Sequence, residues 1–204
     1  MKILCVARNY ALHAREMKAE APASPVFFLK PDSAILHDNQ PFFYPDFSRQ
    51  VEHEVELVVK IDRVGKSIEP RFAHRYYSEV TLGIDFTARD LQQEAKAKGL
   101  PWLQSKGFDG SAAIGRFVPL KELNAEVQNL GFALFRNGTM VQQGNTRDMI
   151  HTVDLLISDI SRYMLLRTGD LIFTGTPAGV GPVEIGDTLV AELQGHQLLE
   201  CRIR

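Results

Sequence analysis

The sequence predicts an α+β fold that is mostly β. Three features carry that prediction: apolar runs of strand length recur along the whole chain, turn residues separate them, and the few helical patterns do not alternate regularly with the strands. Regular alternation would point instead to a parallel α/β sheet. The chain has 204 residues, 45% of them hydrophobic, enough for a sizeable core, and no linker or repeat interrupts it. One domain over residues 1–204 is expected.

Taken in order, Lys2 to Val6 reads as a short strand and Tyr10 to about Lys18 as a polar helix, followed by the Pro/Ala-rich stretch Ala19 to Pro25. That helix has few apolar anchors, so the segment from about residue 10 to 25 is expected to act as a mobile lid. Val26 to Leu29 is an apolar strand running into Lys30 and Pro31. Val51 to Ile61 is a long valine-rich strand with Glu52, Glu54 and Glu56 on one face. A short helix is expected around Arg71 to Ser78, then a strand from Val80 to Phe86. Thr87, with Asp90 three residues later, matches a capping box for a helix that Gly99 ends. Asn137-Gly138, between Leu130–Arg136 and Thr139–Gln142, signals a two-residue hairpin. Met149, Ile150, Val153, Leu156, Ile157, Ile160 and Met164 recur at helical spacing, which makes Arg147 to Leu165 mainly an amphipathic helix with room for one break. Strands Leu171–Thr174, Thr188–Leu193 and Leu198–Ile203 follow, set apart by the glycine-rich run 175–182 and by Gly186 and Gly195.

Lys and Arg total 23 against 25 Asp and Glu, and the basic residues are scattered, so no nucleic-acid or membrane-surface partner is indicated. A small molecule is the better default partner. Cys5 and Cys201 lack metal-ligand spacing and form no disulfide framework, which fits a reducing cytoplasm. The opening MKILCVARNY meets Arg8 too early for a signal-peptide core or a membrane span.

Glu54 and Glu56, one residue apart on a strand, put two carboxylates on one face. Alone they suit the solvated side of an amphipathic strand. Asp85 shifts the balance: it ends an apolar run just before a helix, where a carboxylate is buried or lines a crevice. Three carboxylates without cysteine suit a hard cation, Mg2+ or Mn2+, rather than zinc. His13 and Glu16, three apart on the lid helix, share a face, which is either an ordinary exposed pair or an imidazole oriented as a general base. Lys106 is either a loop lysine or a charge placed to stabilise an enolate. Lys30, at the end of an apolar strand, calls for an anionic partner. Gly175, Gly179 and Gly181 match neither a Walker nor a Rossmann pattern.

HEVELVV at 53–59, IDFTARDLQ at 84–92 and FTGTPAGVGP at 173–182 resemble the fumarylacetoacetate hydrolase family, and so do RNYALHAREM, FLKP and KGLPWLQSKGFD in their order and spacing. The similarity covers nearly the whole chain and is greatest to the short, acylpyruvase-like members. It implies a mixed β-roll with flanking helices, a homodimer, and metal ligation by Glu54, Glu56 and Asp85. It further implies a His13–Glu16 pair that activates water under a closed lid, Lys106 as enolate stabiliser, and substrate contacts from Arg8, Lys30, Gln92 and Thr176. Two positions depart from the family pattern: Ala7 replaces a glycine common before Arg-Asn-Tyr, and His151 stands where an aromatic is frequent.

The reaction so implied is metal-dependent hydrolysis of a carbon–carbon bond in a short acylpyruvate or 2,4-diketo acid. Water activated by His13 attacks the 4-oxo carbon and leaves pyruvate enolate, whose charge Lys106 offsets. Oxaloacetate decarboxylation passes through the same enolate without attacking water. A tautomerase or 2-hydroxyhepta-2,4-diene-1,7-dioate-type isomerase is a third reading. A non-catalytic metal-stabilised binding module has no use for a general base.

Overall fold

A computed structural model describes residues 1–17, 20, 22–37 and 40–204. The chain opens with β1 (Ile3–Ala7), α1 (Ala11–Glu16), β2 (Val26–Lys30) and β3 (Ile35–Leu36). It continues through β4 (Val51–His53), β5 (Val55–Ile61), α2 (Pro70–Ala73), β6 (Tyr77–Asp85), β7 (Thr87–Ala88), α3 (Arg89–Lys98) and α4 (Leu103–Lys106). Next come β8 (Ala112–Ile114), β9 (Val118–Pro119), β10 (Gly131–Arg136), β11 (Thr139–Asn145) and α5 (Val153–Tyr163). The chain closes with β12 (Leu171–Phe173), β13 (Gly181–Pro182), β14 (Thr188–Leu193) and β15 (His196–Arg202).

An eight-stranded mixed sheet runs β2-β1-β12-β5-β6-β8-β3, with β9 also on β6. A four-stranded sheet, β11-β10-β14-β15, and a three-stranded one, β13-β4-β7, accompany it. The class is α+β and mostly β, as the sequence predicts, and the sheet curls into a half-barrel. Strand β5 lies inside the large sheet and is apolar on both faces, with Leu57, Val59 and Ile61 in one core cluster and Val58 in another, all at 0% exposure. Each such side chain contributes roughly 1.5–3 kcal/mol by leaving water. No described helix is long and apolar enough to cross a membrane.

Local chemistry explains several elements. Asn137 (φ 53°) and Gly138 (φ 80°) both adopt the left-handed conformation that a two-residue hairpin needs, and β10 and β11 pair across them. Gly99 (φ 65°) ends α3 as expected.

Five expectations are corrected. The strand expected from Val51 to Ile61 breaks at Glu54, because β4 and β5 belong to different sheets. The helix placed at Arg71–Ser78 is only Pro70–Ala73, since Tyr77 already pairs with Ile61. Thr87 caps nothing: the N-cap of α3 is Ala88, and the Thr87 hydroxyl donates to Glu54 Oε1 at 3.1 Å. The helix expected over Arg147–Leu165 is a 3-10 turn at 146–148 followed by α5, which starts at Val153 because the Thr152 hydroxyl accepts the Leu155 N–H. The first helix, expected to belong to a lid, is shorter than expected, Ala11–Glu16, and Lys18 lies outside the described residues.

Candidate active site

Glu54 stands where the chain passes from the small sheet to the large one, and a glutamine fixes that crossing. Gln142 on β11, 2% exposed, accepts the Val55 N–H at 3.1 Å and lies 2.9 Å from His53 Nδ1, so it holds both neighbours of Glu54. Its amide nitrogen donates to Thr176 Oγ1 (2.9 Å) and Pro177 O (3.1 Å), tying the same point to the glycine loop. All four hydrogen-bonding positions of the amide are used.

This crossing and the end of β6 bring Glu54, Glu56 and Asp85 together, each with an oxygen within 4.8 Å of the others and all three buried. The solvated-face reading of the strand is thereby excluded, since Glu52 is buried as well. Burial is tolerable because cations surround the group. Lys106 Nζ donates to Glu54 Oε2 (2.9 Å) and Asp85 Oδ2 (2.7 Å). Arg89 donates to Glu54 Oε1 (2.6 Å), Glu52 Oε2 (2.7 Å) and Gln92 Oε1 (2.6 Å). Lys30 Nζ lies 2.6 Å from Asp85 Oδ1 and donates to Ser111 O and Oγ.

Glu56 differs from its neighbours. No cationic side chain pairs with it among the described residues, and its Oε2 accepts the Gly175 N–H at 2.7 Å. Burial first, then the charges of Asp85 and Glu54, push its carboxyl well above the usual range. Burial also opposes ionisation of Glu54, but Lys106 and Arg89 outweigh it and hold that carboxyl well below the usual range. Lys106 keeps its proton more firmly than a free lysine, because Asp85 and Glu54 overcome the effect of burial. Three buried carboxylates, one of them without a cationic partner among the described residues, form an all-oxygen donor set that fits a hard divalent cation of the Mg2+ or Mn2+ kind.

Helix α1 borders this cluster. His13 is buried, lines the pocket and places Nδ1 3.2 Å from Glu16 Oε2. Glu16 in turn accepts the Gly179 N–H at 3.1 and 3.3 Å, so the glycine loop grips α1 as well as Glu56. Asn9 anchors the start of the helix by donating to His151 O and Thr174 O and accepting the His151 N–H. Beyond the helix, His151 Nε2 lies 3.2 Å from Pro22 O.

Eight of the ten site residues expected from sequence line one pocket: Arg8, His13, Glu54, Glu56, Asp85, Gln92, Lys106 and Thr176. Glu16 sits behind His13. Lys30 is corrected in its contact: it does not line the pocket but lies beneath Asp85 with its ammonium fully engaged. The Thr176 hydroxyl is also engaged, donating to Val55 O and accepting from Gln142. Sequence reasoning assigned no role to Arg89, Gln142, Asn9 or Lys96. For Arg89 a signal existed, since a cation in the first turn of a helix opposes the helix dipole and needs another reason to be there. For Gln142 there was none, because its partners are 34 to 89 residues away.

The model of the fumarylacetoacetate (FAA) hydrolase C-terminal family matches residues 2–204. The chain belongs to the fumarylacetoacetate hydrolase family. Among relatives within reach of this family assignment, the mitochondrial oxaloacetate tautomerase of Bos taurus is 42% identical over 201 residues, 98% of this chain and 90% of its own. The mitochondrial oxaloacetate decarboxylase of Dictyostelium discoideum is 44% identical over 195 residues, 95% of this chain and 89% of its own. A fumarylpyruvate hydrolase from Pseudomonas aeruginosa, solved with Mn2+ and pyruvate, superposes with a TM-score of 0.93 at 35% identity, covering 100% of this chain and 89% of its own. Helix α1, the carboxylate cluster and the glycine loop thus all fall within the part of the chain that the family model matches.

Proposed function

We propose that this member of the fumarylacetoacetate hydrolase family is a Mg2+- or Mn2+-dependent enzyme of short 2-oxo acids that moves a proton through an enolate, with oxaloacetate keto–enol tautomerisation as its reaction. The observation that carries the reading is the His13–Glu16 pair bordering the same pocket as the Glu54–Glu56–Asp85 cluster. A divalent cation held by those three carboxylates supplies Lewis acidity toward the 2-oxo acid. Glu16 holds the His13 imidazole by its Nδ1, which leaves Nε2 to take a proton from the carbon beside the oxo group and to return it. Lys106 offsets the negative charge that develops on the substrate oxygen. The lid and the apolar wall of Phe28 and Trp102 limit water at that point.

The positioned base ranks the alternatives. Decarboxylation of oxaloacetate requires enolate stabilisation but no base, so the His13–Glu16 pair supports tautomerisation ahead of it. Hydrolysis of an acylpyruvate, placed first on sequence alone, uses the same base on water and is the second reading; the Pseudomonas aeruginosa relative, named for such a reaction and holding Mn2+ and pyruvate, favours it. A homodimer is the expected assembly. The deciding experiment supplies purified protein with Mg2+ or Mn2+ and follows the enol absorbance of oxaloacetate, acylpyruvate loss and pyruvate release side by side. Faster loss of enol absorbance without pyruvate supports the reading. Pyruvate release from an acylpyruvate, with no acceleration of tautomerisation, replaces it by hydrolysis.

A further inference from the structure

Glu52 is a buried carboxylate that the proposed chemistry leaves unused. It lies on β4 two residues before Glu54, and both its oxygens are engaged: Oε1 accepts the Gln50 side-chain amide at 2.8 Å and Oε2 accepts Arg89 Nε at 2.7 Å. A carboxylate taken out of water needs a cation beside it. Here the cation that Glu52 holds also touches the cluster.

Arg89 is buried as well and spreads its three nitrogens over three acceptors. Nε goes to Glu52, Nη1 to Gln92 Oε1 and Nη2 to Glu54 Oε1. Burial works against its charge, but Glu54 and then Glu52 outweigh it, so the guanidinium stays charged. A cation 2.6 Å from Glu54 competes with any further cation for the same carboxylate. Lys106 already sits on the other oxygen of Glu54. An anion on the far side of the guanidinium, drawing it back through Nε, relieves that competition.

The charge balance points the same way. With every group ionised, Glu52 and the three clustered carboxylates face Lys30, Arg89 and Lys106, and one negative charge is left over to draw in a divalent cation. Without Glu52 nothing is left over, and Arg89 leans on Glu54 with its whole charge. The position of Arg89 does not depend on this ion pair alone, because its backbone N–H donates to Gln50 O at 2.7 Å.

We propose that Glu52 is a positioning residue for the metal centre: as counter-ion to Arg89, it keeps the guanidinium from competing with the metal for Glu54. This rests on the metal-dependent reading of the site and adds what sets its affinity for the cation.

The test is Mn2+ titration of chelator-stripped protein followed by electron paramagnetic resonance, at a temperature where circular dichroism shows each variant folded. Glu52→Gln keeps the shape and removes the charge, and should weaken Mn2+ by about tenfold or more. Adding Arg89→Met removes the competitor and restores the leftover negative charge, so the double variant should return to within about threefold of the parent. A prop for the fold would not behave in this way, since a second buried loss would deepen the first. Gln50→Leu, at an exposed position, takes away only the second support of Glu52 and should weaken Mn2+ by about threefold. That variant carries the test if Glu52→Gln does not fold, and parent affinity in it would then overturn the proposal. Parent affinity in a folded Glu52→Gln, or a double variant as weak as Glu52→Gln, overturns it directly. Parent protein that binds no Mn2+ overturns the metal-dependent reading, and this inference with it.

Discussion

The backbone N–H of Gly179 donates to the Glu16 carboxylate at 3.1 Å, joining the glycine loop to helix α1 across 163 residues of sequence. The same loop donates the Gly175 N–H to Glu56. One short segment therefore holds both the carboxylate that orients His13 and the carboxylate with the least charge compensation.

This clasp makes two functions of Glu16 separable. Glu16→Gln keeps an oxygen to accept the Gly179 N–H but loses the charge that orients His13, so oxalate should still protect residues 11–17 from protease while turnover falls by about a hundredfold. Glu16→Ala should lose both. Gly179→Ala should loosen the lid without touching His13, because a Cβ there would meet Val141 O at 2.6 Å. Limited proteolysis with and without oxalate, alongside turnover, reads all three; unchanged protection in Glu16→Ala would dissolve the clasp.

Carboxylate variants should divide by charge partner in metal-free protein. Asp85→Ala leaves Lys30, whose side chain is 0% exposed, without its only ion-pair partner among the described residues, and should destabilise by about 3–5 kcal/mol. Glu56→Gln keeps an acceptor for Gly175 and removes a carboxyl that no cation pairs with among the described residues, so it should stabilise at the high pH where the parent carboxyl ionises. Both, with Glu54→Ala, should abolish tight Mn2+ binding. Chemical denaturation in chelator and Mn2+ titration followed by electron paramagnetic resonance check the pattern, and a destabilised Glu56→Gln would contradict it.

The pH dependence follows from the same residue. Its folded carboxyl pKa lies well above the ordinary 4.5, raised by burial and then by Asp85 and Glu54. The folded state therefore binds more protons than the unfolded one, and this contribution to stability, full below the ordinary value, is lost as pH rises toward the folded value. Metal-free protein should weaken as pH rises from the ordinary value and level off above the folded one, and Glu56→Gln or saturating Mg2+ should flatten the loss. Melting temperatures measured across pH in chelator decide it; a parent profile identical to that of Glu56→Gln would refute it.

His13→Ala should separate the possible reactions. Tautomerisation, or hydrolysis if that is the reaction, should fall by about a hundredfold to ten-thousandfold, whereas any oxaloacetate decarboxylation should fall much less because it needs no base. Lys106→Ala should depress all of them, since all pass through an enolate. Equal losses of every activity in His13→Ala would make His13 a lid or substrate anchor.

Gln142→Met keeps the volume of the side chain and removes its four hydrogen bonds, so Glu54 and the glycine loop should lose their common support. Mn2+ affinity should drop by about tenfold and oxalate should no longer protect the lid, at a temperature where circular dichroism shows the variant folded. Parent-like affinity and protection would reduce Gln142 to a filler of the core.

What the sequence determined by itself rests on short-range rules. Period-two spacing put Glu54 and Glu56 together, an apolar run ending before a helix marked Asp85, Asn137-Gly138 specified its hairpin, and the His13–Glu16 spacing specified a pair on one helix face. Each of these depends on residues within a turn or a strand of one another, where covalent geometry fixes the outcome. Only the tertiary structure decided the rest: that the long strand breaks at Glu54, that Thr87 serves Glu54 rather than its own helix, that Lys30 supports Asp85 from beneath, and that Gln142 and Gly179 hold the site and helix α1. Those contacts join residues 33 to 163 positions apart. A buried polar group takes whichever partner packing brings within reach, and no periodicity along the chain records that choice.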